Sequence, residues 1–186
     1  MIVEQTALAG VVELRPSRHD DQRGWFSETW NQRTLQDAGI AIDWVQDNEA
    51  FSSTAGTLRG LHYQMDPHAQ DKLVRASRGR ILDVAVDLRR DSTTYGQHVA
   101  VELSADVGNQ LLVPKGFAHG YCTLEPETVI TYKVSAFYSP SSDRGVRWDD
   151  PDLAIDWRFE PIELLLSEKD AHAPRLSDLA APPFST

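Results

Sequence analysis

Arg59-Gly60-Leu61-His62-Tyr63-Gln64 is answered later in the chain by Pro114-Lys115-Gly116-Phe117-Ala118-His119-Gly120. A glycine stands at the same distance before each run, Gly56 ahead of His62 and Gly108 ahead of Pro114. Around them the chain is a series of short β-branched or apolar segments separated by turn residues: Gly10 to Leu14, Gly79 to Leu88, His98 to Leu103 and Thr128 to Val134. In the second of these, Ile81, Asp83, Ala85 and Asp87 fall on one face of a strand, and Leu82, Val84, Val86 and Leu88 on the other. Many short strands with close turn signals predict an all-β sandwich or barrel. One helix is expected from Asn31 to Ala38, with Asn31 as cap and Gly39 as stop.

The two histidine runs resemble the half-motifs of a metal cupin. There the first half carries His-x-His and later a Glu, and the second carries Pro-x-Gly-x-x-His. Here Gln64 replaces the second His, and Lys72 stands near the position of the Glu. A lysine there brings positive charge where a metal needs an anionic ligand. His62 and His119 alone are too few ligands. The resemblance implies a cupin-like jelly-roll barrel with a few short peripheral helices, no metal and no cofactor, so that side chains carry the chemistry.

With 186 residues, the chain is long enough for one domain with a sizeable core. The expected layout is N-terminal strands and a contact segment over about 1–50, a barrel core over about 51–140 and a C-terminal segment over about 141–186. No repeat or low-complexity linker interrupts it, and the tail Ala180-Ala181-Pro182-Pro183 is expected to be loose. A net charge of −10 argues against general nucleic-acid binding, though a few placed cations can still serve an anionic small molecule. No long apolar run predicts a membrane span, and Met1 to Gln5 lacks the features of a signal peptide. The single cysteine, Cys122, sits among apolar and aromatic residues; it reads as a buried thiol and fits a cytoplasmic location.

Across nearly its whole length the chain resembles the dTDP-4-dehydrorhamnose 3,5-epimerase family. The matching motifs are Arg23 to Glu28, Gln46-Asp47-Asn48, Arg59 to Gln64, Lys72, Pro114 to His119, Tyr132, Tyr138, Trp148 to Pro151 and Leu166 to Asp170. The resemblance implies a homodimeric, cofactor-free enzyme acting on a dTDP-sugar with a ketone at C4. Protons at C3 and C5 are alpha to that ketone, so inversion needs a base, an acid across the ring and a group to hold the enolate oxygen.

His62 is the candidate base, since an imidazole is well placed for proton abstraction near neutral pH. The resemblance makes Asp170 its orienting carboxylate, although Ser167-Glu168-Lys169-Asp170 also reads as a helix capping box. Lys72 is the candidate cation for the enolate, and Tyr132 the candidate acid on the opposite face. Tyr138 has a family counterpart near the substrate, with packing, binding and catalysis all open. Asp83 and His119 are expected to form a second inward pair, with His119 lining the sugar pocket as support. Arg59 and Arg23 resemble diphosphate and nucleotide contacts, where a guanidinium suits phosphate oxygens. The resemblance places Phe26 and Glu28 where the family meets the thymine end, and Gln46 and Asn48 facing the same binding region. The resemblance places the Arg23–Glu28 segment in the neighbouring subunit's site; by itself Asp-Gln-Arg-Gly reads as a surface turn.

Two departures from the family pattern are Ala50, often serine, and Arg158, commonly proline and expected at the surface. His19, His68, His98 and His172 carry no motif. Other functions compatible with the residues are a mono-epimerase, a metal-dependent cupin enzyme and a non-catalytic sugar-nucleotide binding module; Tyr132 favours the double reaction.

Overall fold

The computed structural model describes residues 1–179 and Phe184; the tail Ala180 to Pro183 lies outside the described residues. The strands are β1 (Ile2–Gln5), β2 (Val12–Arg15), β3 (Arg18–Asp21), β4 (Gly24–Ser27), β5 (Gln46–Ser52), β6 (Leu58–Gln64), β7 (Lys72–Arg78), β8 (Arg80–Asp87), β9 (His98–Ser104), β10 (Gln110–Val113), β11 (Phe117–Thr123), β12 (Thr128–Val134) and β13 (Asp143–Gly145). Helices are short: α1 (Gln32–Asp37) and α2 (Glu168–Ala171). The side chain of Asn31 accepts from Arg33 N and Thr34 N at the start of α1, so the expected helix and its cap are both present.

Two antiparallel sheets face each other. One has the order β1-β2-β10-β7-β12-β5 and the other β13-β6-β11-β8-β9; β3 and β4 form a separate ribbon. This is the all-β sandwich that the spaced strand signals predict, in the jelly-roll form that the resemblance implies.

Alternation on β8 decides which residues lie between the sheets. Ile81 and Ala85 join Val74, Leu103, Leu111, Phe117 and Ile130 in the inter-sheet core. Leu82, Val84, Val86 and Leu88 point the other way, into a second core covered by Val146, Leu153 and Trp157 of the C-terminal segment. A third cluster, with Leu35 of α1 and Leu73, packs on the outer face of the larger sheet. Each fully buried Leu, Ile or Val in these layers contributes roughly 1.5–3 kcal/mol, so losing the register of β8 would expose two cores at once.

Close approach of β6 and β11 requires glycine at two positions. A Cβ on Gly60, whose φ is +135°, would stand 2.5 Å from Gly120 Cα. No ordinary side chain fits between them.

Candidate active site

Strand pairing explains how distant residues converge. On the larger sheet, Tyr132 lies opposite Asn48 on one side and Val74 on the other. Val134 lies opposite Gln46 and Lys72. Directly paired residues share a face, so Gln46, Asn48, Lys72 and Tyr132 all face the interior with buried Val74 and Val134. Ala50 shares that face through its pairing with buried Ile130.

On the smaller sheet, His119 lies opposite His62 and Tyr121 opposite Arg59, with a register irregularity between His119 and Tyr121. This places an extra residue on β6 between the two pairs. It is why both Arg59 and His62, which strict alternation would send to opposite faces, line one cavity.

That cavity, about 570 Å³, contains Arg59, His62, Lys72, His119, Tyr121 and Tyr132 in its walls. A second lobe of about 330 Å³ is lined by Gln46, Asn48 and Tyr138 and shares His62, Lys72, Tyr132 and Lys169 with the first. Each lobe falls within the roughly 300–1,000 Å³ typical of small-molecule sites. His62 on β6 and Tyr132 on β12 come from opposite sheets.

Asp170 is nearly sealed from solvent, and its Oδ1 lies 2.6 Å from His62 Nε2. Its Oδ2 accepts from Gly60 N at 3.3 Å. Burial alone would push the Asp170 carboxyl up, but the bonds from His62, Gly60 and Ser167 outweigh it and hold the pKa below the ordinary value. The ionised carboxylate therefore accepts from Nε2–H, fixing the neutral ring's proton there and leaving Nδ1 unprotonated. The capping reading is half realised: Ser167 Oγ accepts from Asp170 N at 3.1 Å, while the Asp170 carboxylate turns to His62.

Lys72 has its ammonium end enclosed, and burial draws its pKa down to about 8. Asp83 and Asp143 oppose that fall, and Lys169 adds to it. Behind Lys72, His119 Nε2 lies 2.8 Å from Asp83 Oδ1. The pair is fully buried, and Asp83 Oδ2 has no hydrogen-bond partner among the described residues. Burial lowers the His119 pKa despite the adjacent carboxylate, so the ring is neutral near pH 7. Burial raises the Tyr132 pKa, with Arg59 opposing, so its phenol keeps its proton.

Gln64, at the second-histidine position of a metal cupin, is wholly engaged by backbone. Its Nε2 donates to His68 O at 2.6 Å and Phe137 O at 3.2 Å, and its Oε1 accepts from Ser139 N at 2.7 Å. Among the described residues no group of three or more His, Cys, Asp or Glu could hold a metal ion.

Arg23 in the β3–β4 turn, Phe26 on β4 and Glu28 just beyond it are exposed and do not line the cavity of their own chain. Arg23 pairs with Asp21 at the hairpin turn, at 2.5 Å. Gln46 Nε2 donates to Asn48 Oδ1 at 2.7 Å in the second lobe. Tyr138 OH donates to Asp143 Oδ2 at 3.1 Å at its rim. Cys122 is buried, its thiol pushed up to about 12, and His19, His68 and His172 are exposed. Polar lining residues outside the expected set include Tyr121, Asp143 and Lys169. For Tyr121 the signal was its period-2 spacing from His119.

Over nearly its whole length the chain is similar to known proteins. Residues 5–178 match the family model described as dTDP-4-dehydrorhamnose 3,5-epimerase. A protein of that name from Sinorhizobium fredii is 48% identical over 183 residues, covering 96% of this chain and 91% of the relative. The crystal structure of dTDP-4-dehydrorhamnose 3,5-epimerase from Bacillus anthracis, with TDP and PPi bound, superposes with a TM-score of 0.91 at 47% identity, covering 94% of this chain and 99% of that one. The dTDP-6-deoxy-D-glucose-3,5-epimerase of Legionella pneumophila, in complex with dTDP-4-keto-L-rhamnose, gives 0.93 at 37% identity, covering 100% and 99%.

Proposed function

Because the chain belongs to the dTDP-4-dehydrorhamnose 3,5-epimerase family, we propose that it epimerises dTDP-4-keto-6-deoxyglucose at C3 and C5 to dTDP-4-keto-L-rhamnose, without a cofactor. The observation that carries this reading is His62 on one sheet, held by Asp170 of α2, facing Lys72 and Tyr132 on the other sheet.

His62 removes the proton alpha to the C4 ketone, and the electron pair moves onto the ketone oxygen as an enolate. Lys72 holds that oxygen; a preorganised donor of this kind contributes about 3–4 kcal/mol to the transition state. Tyr132 returns a proton to the opposite face of the carbon, and solvent exchange restores both His62 and Tyr132 before the second carbon reacts. Each proton transfer through a positioned side chain accelerates its step by roughly 10²–10⁴.

Arg59 reaches the cavity and suits the diphosphate. Gln46, Asn48 and Tyr138 line the second lobe and suit the nucleotide end. Arg23, Phe26 and Glu28 belong to the same reading through a homodimer. Their exposure on or beside a ribbon outside their own cavity, with Phe26 at 70% and Trp25 at 56%, supports a role in a neighbouring site. No described helix is long and apolar enough to cross a membrane. The sole, buried thiol fits reaction in the cytoplasm.

The test is incubation with dTDP-4-keto-6-deoxyglucose in deuterated water, reading deuterium at C3 and C5 by NMR. Label at both carbons is expected. Label at only one would make the chain a mono-epimerase, and dTDP binding without label would make it a binding module.

A further inference from the structure

Tyr121 on β11 is 6% exposed and packs in the inter-sheet core, yet it also forms part of the wall of the larger lobe. It lies opposite Arg59 of β6 and Asp83 of β8. Its ring centroid stands 6.4 Å from that of His119, two residues earlier on the same face. Its hydroxyl makes no hydrogen bond among the described residues. Two other hydroxyls in this wall are already engaged: Thr57 Oγ1 donates to Thr54 O at 3.0 Å, and Ser167 Oγ accepts from Asp170 N at 3.1 Å.

The Tyr121 oxygen is not sealed in the core. Among the described residues, the fully enclosed side-chain atoms without a partner are Trp30 Nε1 and Asp83 Oδ2. The phenol therefore has its body in the core and its tip on the cavity. Burial pushes its pKa up, so the O–H stays a donor through the neutral range. A largely buried donor without a partner weakens the free protein, and a ligand that brings an acceptor recovers that loss.

We propose that Tyr121 is a further ligand-contacting residue, whose hydroxyl donates to an oxygen of the phosphate that bears the sugar. The inference rests on the cleft being a dTDP-sugar site with Arg59 at the diphosphate. Its neighbours select the acceptor. Arg59, opposite Tyr121, suits phosphate oxygens, and His119, beside it, is expected at the sugar. A donor between those two meets the ligand where the diphosphate joins the ring. A hydrogen bond to a charged oxygen is stronger than one to a neutral acceptor, so this contact adds affinity and fixes the register of the sugar against His62.

The experiment is calorimetric binding of dTDP and of dTMP to the wild type and Y121F, with thermal denaturation of both proteins without ligand. dTMP ends at the phosphate on the nucleoside, whereas dTDP also carries the phosphate that bears the sugar in the substrate. Y121F is expected to bind dTDP about ten-fold more weakly, to bind dTMP within about two-fold of the wild type, and to melt at the same temperature or higher. Equal losses for the two nucleotides, or dTDP affinity within about two-fold of the wild type, would overturn the proposal. So would a lower melting temperature, because the hydroxyl would then serve a partner in the protein. The wild type separates this inference from the reading beneath it. If the wild type binds neither nucleotide, the dTDP-sugar reading and the Tyr121 contact fall together. If the wild type binds dTDP and Y121F binds it equally well, Tyr121 alone is removed.

Discussion

Asp170 Oδ1 lies 2.6 Å from His62 Nε2, although 108 residues separate the two in sequence. The carboxylate is 4% exposed, so it has little water to replace a lost partner. Removing the imidazole leaves a buried charge held by Gly60 N and the nearby Ser167 hydroxyl. Removing the carboxylate charge leaves the ring free to choose the wrong tautomer.

H62A is expected to abolish exchange at both C3 and C5, because one base serves both protons. D170N preserves the shape but reverses the preference of the His62 tautomer, and should lower kcat by about 10²–10⁴. Deuterium uptake followed by NMR checks both; near-normal exchange at either carbon in H62A would remove His62 from the mechanism.

Lys72 sets an alkaline limit. Its ammonium is the charged form, and burial draws its pKa down to about 8. The enolate cation is therefore present below that value and lost as pH rises through it. The rate should fall on the alkaline side with a midpoint near about 8. K72M should cost about 10²–10³ in kcat across the range. A wild-type rate flat to pH 10 would show that the ammonium is not required.

Tyr132 and His62 stand on opposite sheets, so their losses should differ in kind. In Y132F the base can still remove a proton and solvent can return it to the same face. Deuterium wash-in should therefore survive at one carbon at least, while formation of inverted product falls by about 10²-fold or more. Equal loss of wash-in and inversion would place Tyr132 outside the protonation step.

Much of this arrangement could be read before folding. Alternation over Ile81 to Leu88 correctly separates the two cores, and Asn31 and Gly39 bracket the helix. The dyad is different. Ser167 to Asp170 has the spacing of a capping box, and Ser167 does cap α2. Only family resemblance directs the Asp170 carboxylate to His62, since no local rule reports a partner on another element. Asp143 and Lys169 escaped for the same reason: each is an ordinary surface charge until β13 and α2 pack together. Arg158 is exposed as expected, but its φ of +63° is one that proline cannot adopt. Its guanidinium pairs with Glu102 at 2.7 Å, tying that loop to β9.

Asp87 supplies a stability test away from the cleft. Its sealed carboxylate accepts from Arg89, Ser92 and Thr94. Burial pushes its pKa up, but these bonds prevail and bring it to about 2. A depressed carboxyl stabilises the fold above its unfolded pKa of about 3.9, and that contribution is lost as pH falls through about 2. D87A should cost about 2–4 kcal/mol at pH 7 by chemical denaturation, because Arg89 and two hydroxyls lose their acceptor. The gap to the wild type should close on acidification between those two values. A difference independent of pH would assign the cost to packing.

Arg23 provides the most direct test of a shared site, because in its own chain it pairs with Asp21 at the tip of a ribbon outside the cavity. If the ribbon serves the partner's cleft, R23A and H62A damage different subunits of the same site. Each homodimer alone should be nearly inactive toward the sugar nucleotide. After subunit exchange, each heterodimer has one cleft with both His62 and a partner Arg23, and one cleft with neither. Half of a random mixture is heterodimer, so about a quarter of the wild-type activity should return. If Arg23 instead bent back into the cleft of its own chain, no heterodimer would contain an intact site. The mixture would then be no more active than its parents, and the dimer would be a matter of stability alone.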